Sequence, residues 1–407
     1  MYYGWLVVFL VALYHSAITG LITYSYSMLV VPLIEEFGAT LFVAMLGLTV
    51  AKLVSACASP FLGSLIDRYP MRIFVTLGIV ALGFAFVLLS YISAIWQFLV
   101  IFGLFVALAL AFLGPLTGAT LVSRWFSRRR GLTLGLAAVG MSAGGFVAPP
   151  VIQYLMDTMG WRETFFAIGI AVLVSGPVFY LLIRNSPQEH GLLPDGEPVE
   201  TVSDAKLEEQ AEANLYTSTQ AILREPAFWM IGVSTGTIYA CLTAVLANIV
   251  PYALDLGVDK LKAAQLISVM AFTGMIGKLV FGYAADHINL KVSYWLAMAL
   301  MATGILLLAE HPQYSLMVIA SAVIGFSSGG VTPVYGALLA KVFGVASYAR
   351  VLGLMRVLTM LITLFGPPFA GLVFDLTGTF TLAFYAFVTV LIFAGLVLTP
   401  LRLRKIG

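Results

Sequence analysis

The chain has 407 residues, of which 61% are hydrophobic and 10% charged, and its formal net charge is +2. A soluble protein carries about 25% charged residues, so this composition cannot cover a water-facing surface. It excludes soluble enzymes, nucleic-acid binders and disordered scaffolds, and the near-zero charge balance favours no polyanionic partner.

Twelve long apolar runs follow one another, near 5–33, 41–66, 73–92, 95–123, 131–156, 163–183, 227–254, 263–285, 292–309, 313–340, 349–374 and 379–400. Each approximates the roughly 20 residues that a helix needs to cross a bilayer. No ten-residue alternation suggests a barrel. The expected class is an all-α integral membrane protein. Met1 to Trp5 lead directly into the first run, which reads as a signal anchor rather than a cleavable peptide.

Of 21 basic residues, fifteen fall in one set of loops: Arg68, Arg72, Arg124, Arg128, Arg129, Arg130, Arg184, Lys206, Arg224, Lys291, Lys341, Arg350, Arg402, Arg404 and Lys405. Only Arg162, Lys260 and Lys262 lie in the opposite loops. The positive-inside rule then places both termini and the long central loop in the cytoplasm. Residues 185–226 hold Pro187, Pro194, Pro198 and an acidic run from Glu200 to Glu212. They read as a linker between a six-helix half over 1–184 and another over 227–407.

The halves repeat. At an offset of 219, Pro32 falls on Pro251, Gly38 on Gly257, Gly63 on Gly282 and Asp67 on Asp286. At 218, Pro115 falls on Pro333, Gly118 on Gly336, Gly135 on Gly353, Pro149-Pro150 on Pro367-Pro368, Asp157 on Asp375 and Gly160 on Gly378. Such a repeat implies a pseudo-twofold axis along the membrane normal and a central cavity reached by rocking. Gly140, Gly144 and Gly145 would let helices approach closely, and Gly366-Pro367-Pro368 should break the eleventh run.

Three cations, Lys52, Lys278 and Arg356, fall inside spans. A charge at mid-membrane costs at least about 2.5–3.5 kcal/mol, so it faces a cavity or a partner. Lys278 is eight residues before Asp286, about 12 Å into its span, too deep to snorkel easily. Lys52, fifteen residues before Asp67, suits snorkelling as well as function. Arg356, six residues past Arg350, is about 9 Å inside and fits a gate or a ligand. Glu35, Glu36, Asp157, Asp255 and Asp375 sit at span ends, so no acid in mid-span offsets these cations. A positive hollow without buried acid attracts anions and suits a small carboxylate.

Tyr24, Ser27, Thr243, Asn248, Tyr335 and Thr359 are further polar candidates for lining the cavity, or for helix–helix hydrogen bonds. His15 can take a proton or pack neutral within the first span. Asp67 with Arg68, and Asp286 with Arg128, Arg129 and Arg130, can pair as a gate; topogenic charge is the alternative. Histidines at 15, 190, 287 and 311 have no metal-ligand spacing, and Cys57 and Cys241 sit apart in apolar runs. No phosphate-cradling loop is present, so neither metal, cofactor nor nucleotide is expected, and energy must come from gradients.

Gly63-Ser-Leu-Ile-Asp67-Arg68-Tyr-Pro-Met-Arg72 resembles the loop motif of the major facilitator superfamily, and Gly282-Tyr-Ala-Ala-Asp286-His287 is its weaker copy. Tyr3-Gly4-Trp5, the run Arg124 to Gly131 and Gly191-Leu-Leu-Pro194-Asp195-Gly196 resemble the bacterial monocarboxylate and oxalate/formate transporter group. That resemblance implies the major facilitator fold, and a carboxylate-binding cation on the eighth helix at a position matching Lys278. Gly274 stands where the group's monocarboxylate members have an aspartate, Met28 where they have a lysine, and Thr359 where oxalate-type members have a second cation. Because a buried lysine can lose its proton, Lys278 is expected to serve as both carboxylate anchor and proton site. The resulting expectation is a monomeric secondary transporter of monocarboxylates such as lactate or pyruvate, coupled to protons and embedded in lipid. An oxalate-formate type of exchanger, efflux of neutral amphipathic compounds and a membrane sensor are the alternatives.

Overall fold

A computed structural model describes residues 2–66, 69–126, 129–187, 195, 219–344 and 347–401. Helix accounts for 87% of the structure, with no strand among the described residues. In hydrocarbon, a helix satisfies its own backbone polar groups, which is why sequences this apolar adopt it. Eleven helices among the described residues are long and apolar enough to cross a membrane, and Thr381–Val397 is a shorter apolar one.

The first span runs Gly4–Ile18, continues as a π-helical turn over Thr19–Tyr24 and resumes at Tyr26–Phe37. The second is Leu41–Ile66 and the third Met71–Leu89. The fourth is assembled from Ile95–Ile101, a π turn Phe102–Val106, Ala107–Phe112 and, after a break at Gly114, Pro115–Trp125. Arg130–Met159 and Trp161–Leu182 complete the first six. The second six are Pro226–Asp255, Lys260–His287, Leu290–Ala309, Tyr314–Phe343, the pair Tyr348–Thr363 and Gly366–Thr377, and Thr381–Val397. The expected break in the eleventh span is present, because Pro367 has no N–H to continue the preceding turn. Its repeat partner behaves differently: the fifth span passes through Pro149 and Pro150 without interruption.

The repeat is visible in the backbone. Gly38 (φ +60°) and Gly257 (φ +77°) follow the first and seventh spans, while Gly160 (φ +85°) and Gly378 (φ +72°) follow the fifth and eleventh. An L side chain is disfavoured at positive φ, so these matched glycines end matched helices for one steric reason.

The chain forms two compact units, Met1–Val202 with Asp259–Ser268, and Ser203–Val258 with Val269–Gly407. In the first, the third span packs on the sixth, with Phe86 stacked on Phe165 at 5.4 Å, and the first packs on the fifth. A Cβ on Gly140 or Gly144 would run into the backbone of Ala12 or Ser16. Arg162 ties three spans together at one end. It donates to the carbonyls of Ser90 and Ile92, each at 2.8 Å, pairs with Glu36 and lies over the Trp161 ring.

In the second unit the seventh span packs on the eleventh, where Gly366 meets the backbone of Ala240. The eighth and tenth meet through Gly277 at Phe326, Gly325 at Met270 and Gly329 at Gly274. Such contacts give van der Waals packing where lipid supplies no hydrophobic drive between helices. Leu279, Phe365 and Leu376 are among the most exposed side chains, an apolar surface suited to lipid.

Overpacking at such a contact is destabilising, by roughly 1–3 kcal/mol for extra methylenes. Gly144→Leu is therefore expected to lower the melting temperature of the purified protein. Gly135→Ala, with nothing within 4 Å of the added methyl, should leave it unchanged.

Candidate functional site

The polar groups of the second unit gather around Arg356. Its guanidinium is exposed and acts electrostatically on Tyr239 of the seventh span and Tyr335 of the tenth. Tyr239 Oη bonds to Thr332 Oγ1 at 3.1 Å, joining those two spans. Tyr335 is one helical turn beyond Thr332 and interacts with Tyr239 and Tyr348. Tyr348 Oη in turn lies against Gly336. No acid pairs with Arg356 among the described residues. The cluster therefore offers a planar cation and several hydroxyls, a donor-rich surface that suits a carboxylate.

Lys278 is half-buried on the eighth span. Its helix is held tightly against the tenth, since a Cβ on Gly329 would fall 2.8 Å from the Lys278 backbone nitrogen. Lys52 is half-buried in the second span, with no hydrogen bond among the described residues. These two lysines lie in different units, whereas Lys278 and Arg356 share one.

The remaining candidates divide by burial. Thr359 is buried and its hydroxyl donates to the Arg356 carbonyl at 3.2 Å, so it braces the helix one turn from that side chain. Thr243 bonds back to the carbonyl of Tyr239 at 2.8 Å. Asn248 is buried, donating to the Ala244 carbonyl at 2.9 Å while its Oδ1 has no partner. Tyr24 is half-buried with its ring against Gly145, and Ser27 is fully buried. The π turn ending at Tyr24 and the change of geometry at Ser25 separate these two, although their spacing suggests one face.

Of the gate candidates, Arg129 is exposed, while Asp67, Arg68 and Arg128 and the side chains of Arg130 and Asp286 lie outside the described residues. Tyr239 and Thr332 were not among the sequence candidates. Their signal was there: Tyr239 is four residues before Thr243 and Thr332 three before Tyr335, the spacings that share a helix face.

His15 is buried in the first unit, its Nδ1 3.4 Å from the Ala137 carbonyl and its Nε2 without a partner. Tyr14 Oη and Thr117 Oγ1 are likewise buried and unpartnered. No cluster of three or more potential metal-binding His, Cys, Asp or Glu residues occurs among the described residues.

Comparison with known proteins places this arrangement. The Major Facilitator Superfamily model matches residues 5–309 and 236–406. The chain belongs to the Major Facilitator Superfamily. Monocarboxylate transporter 2 of Homo sapiens is 27% identical over 339 residues, covering 80% of this chain and 70% of that protein. Monocarboxylate transporter 12 of Mus musculus is 27% identical over 425 residues, covering 99% and 86%. A solved bacterial homolog of the human lysosomal transporter Spinster, inward-facing and unoccupied, superposes with a TM-score of 0.75 over 97% of this chain and 96% of its own. At 14% identity that likeness concerns the fold. As a superfamily member with these relatives, the chain is a multi-pass membrane transporter and not an enzyme.

The Tyr239–Thr332 bond gives a test that needs no substrate. In thermal unfolding, Tyr239→Phe and Thr332→Val should each destabilise the protein, by about 0.5–1.5 kcal/mol for one hydrogen bond. The double variant should cost little more than either alone, because the pair shares one interaction. Additive losses would mean that the two hydroxyls act separately.

Proposed function

We propose that the protein is a secondary active transporter of small monocarboxylates such as lactate or pyruvate, moved with a proton by alternating access. The observation that carries this reading is the donor-rich face of Arg356, Tyr239 and Tyr335, in the same unit as the mid-span cation Lys278. Desolvating a carboxylate is costly, and charge-assisted bonds from fixed cations and hydroxyls offset that cost. With no acidic residue in mid-span, a cationic or amine substrate would meet repulsion rather than a partner. The relatives' name, monocarboxylate transporter, supports the same substrate class.

In this reading Lys278 anchors the carboxylate and Arg356 completes or gates the site. Thr243, Asn248 and Thr359 support helices of the same unit, while Lys52, Tyr24 and Ser27 belong to the first. The chain works as a monomer with both termini in the cytoplasm of a bacterial inner membrane, as its basic loops favour. Two cations in one unit also fit a dicarboxylate, so an exchanger of the oxalate-formate type is the second reading.

A thermal-shift screen of purified protein against short mono- and dicarboxylates separates them. Monocarboxylates are expected to stabilise the wild type, by about 2.7 kcal/mol at a hundredfold excess over Kd, and Lys278→Ala should lose this response. If dicarboxylates stabilise it more, and Arg356→Ala removes that advantage, the exchanger reading holds instead. Proton-driven uptake of labelled lactate or pyruvate into proteoliposomes then tests transport itself.

A further inference from the structure

The two halves of the repeat treat one matched cation differently. At an offset of 219, Arg72 at the start of the third span falls on Lys291 at the start of the ninth. Lys291 is engaged. Its ammonium donates to the carbonyls of Thr399 and of Leu401, the latter at 3.2 Å, and lies over the Trp295 ring. Those carbonyls follow the twelfth span, so the cation meets the negative end of a helix.

Arg72 has a corresponding neighbour but not the bonds. Its guanidinium carbon lies 5.2 Å from the centre of the Tyr180 ring, near the end of the sixth span. The polar groups at that end are taken by other donors. Tyr3 Oη bonds to the Leu182 carbonyl at 2.6 Å, Trp125 Nε1 to the Arg184 carbonyl at 3.2 Å, and the Met71 nitrogen to Asn185 Oδ1 at 2.6 Å. The Arg72 guanidinium makes no hydrogen bond among the described residues, and its Nε is buried without a partner. A ring face attracts the charge but does not replace an acceptor in the guanidinium plane. The first turn of the third span holds no acid, and the positive end of that helix adds to the uncompensated charge.

The surroundings of the guanidinium point to its occupant. Tyr69 and Tyr180 are exposed, and Val174, Val178 and Leu181 continue an exposed apolar strip along one face of the sixth span. The cation thus stands at the head of an apolar strip, on the side where the basic loops concentrate. A guanidinium fork matches two oxygens of a phosphate, and an aliphatic strip matches acyl chains. A free inorganic anion would use only the first of these features.

We propose that Arg72 binds the phosphate of an anionic phospholipid whose acyl chains lie along the exposed face of the sixth span. The bond holds the start of the third span and the end of the sixth, which pack on each other, to one leaflet. Lys291, already bonded to carbonyls, provides no such site in the second half. Lipid binding at Arg72 is independent of which substrate the protein carries.

Binding is read on the purified full-length protein in neutral detergent, by native mass spectrometry with phosphatidylglycerol and phosphatidylcholine. Wild type should hold the anionic lipid about tenfold more tightly, which one charged hydrogen bond supplies. Arg72→Gln should lose this preference, while Lys291→Gln, at the matched but bonded position, should keep it. Equal binding of both lipids by wild type, or a preference that survives in Arg72→Gln, overturns the proposal. Inorganic phosphate distinguishes a free anion from a lipid. It should not displace phosphatidylglycerol at equal concentration, and displacement would overturn the lipid assignment. A photoactivatable phosphatidylglycerol tests the wild type itself, whether or not the variants fold. Its crosslinks should fall on the first turns of the third span and the last turns of the sixth; crosslinks confined to other segments refute the site.

Discussion

Inside a bilayer a polar group finds its partner within the protein or remains unsatisfied, at a cost of several kcal/mol. That constraint explains the almost wholly helical chain and selects the few residues worth attention. Against 61% apolar positions, a lysine or arginine in mid-span is a costly exception that packing alone does not explain. Arg356 illustrates the solution in this protein. It is exposed within its unit and faced by hydroxyls rather than acids, an arrangement that leaves its charge available to an anion.

The same constraint governs how the helices meet. Lipid tails are as apolar as leucine, so helices associate through close van der Waals packing, and close packing needs small residues. Gly140 and Gly144 hold the fifth span against the first, and Gly366 holds the eleventh against the seventh. These pairs occupy corresponding places in the two halves of the repeat. The eighth and tenth spans meet through four glycines, Gly274, Gly277, Gly325 and Gly329, so Lys278 stands on a tightly fixed helix. A fixed scaffold matters for a charged ligand, because a loosely held cation loses much of its attraction to reorganisation.

Much of this was legible in the sequence. Span positions follow from apolar length, and the break at Gly366-Pro367 follows from the missing N–H of proline. Other features were not legible. Pro149-Pro150 has the same local chemistry as Pro367-Pro368, yet the fifth span stays continuous, so surrounding packing rather than the dipeptide decides the outcome. The π turns at Thr19–Tyr24 and Phe102–Val106 have no residue signature, since they depend on which carbonyl each N–H finds. The Tyr239–Thr332 pair was missed because hydroxyls on apolar helices usually bond back to their own turn, and sequence does not say which ones reach across. Thr243 and Thr359, which were flagged, do bond back.

The repeat also shows how two similar halves come to differ. At an offset of 218, Thr332 falls on Gly114 and Tyr335 on Thr117; at 219, Tyr239 falls on Gly20. The seventh and tenth spans are continuous helices that carry hydroxyls at these positions. The first and fourth carry glycine at two of them and contain π turns and breaks. Straight helices with hydroxyl side chains present side-chain donors, which suits an anion. Broken helices with glycine expose backbone carbonyls, which are acceptors. The same pattern of helices thus supports opposite hydrogen-bonding polarity in its two copies.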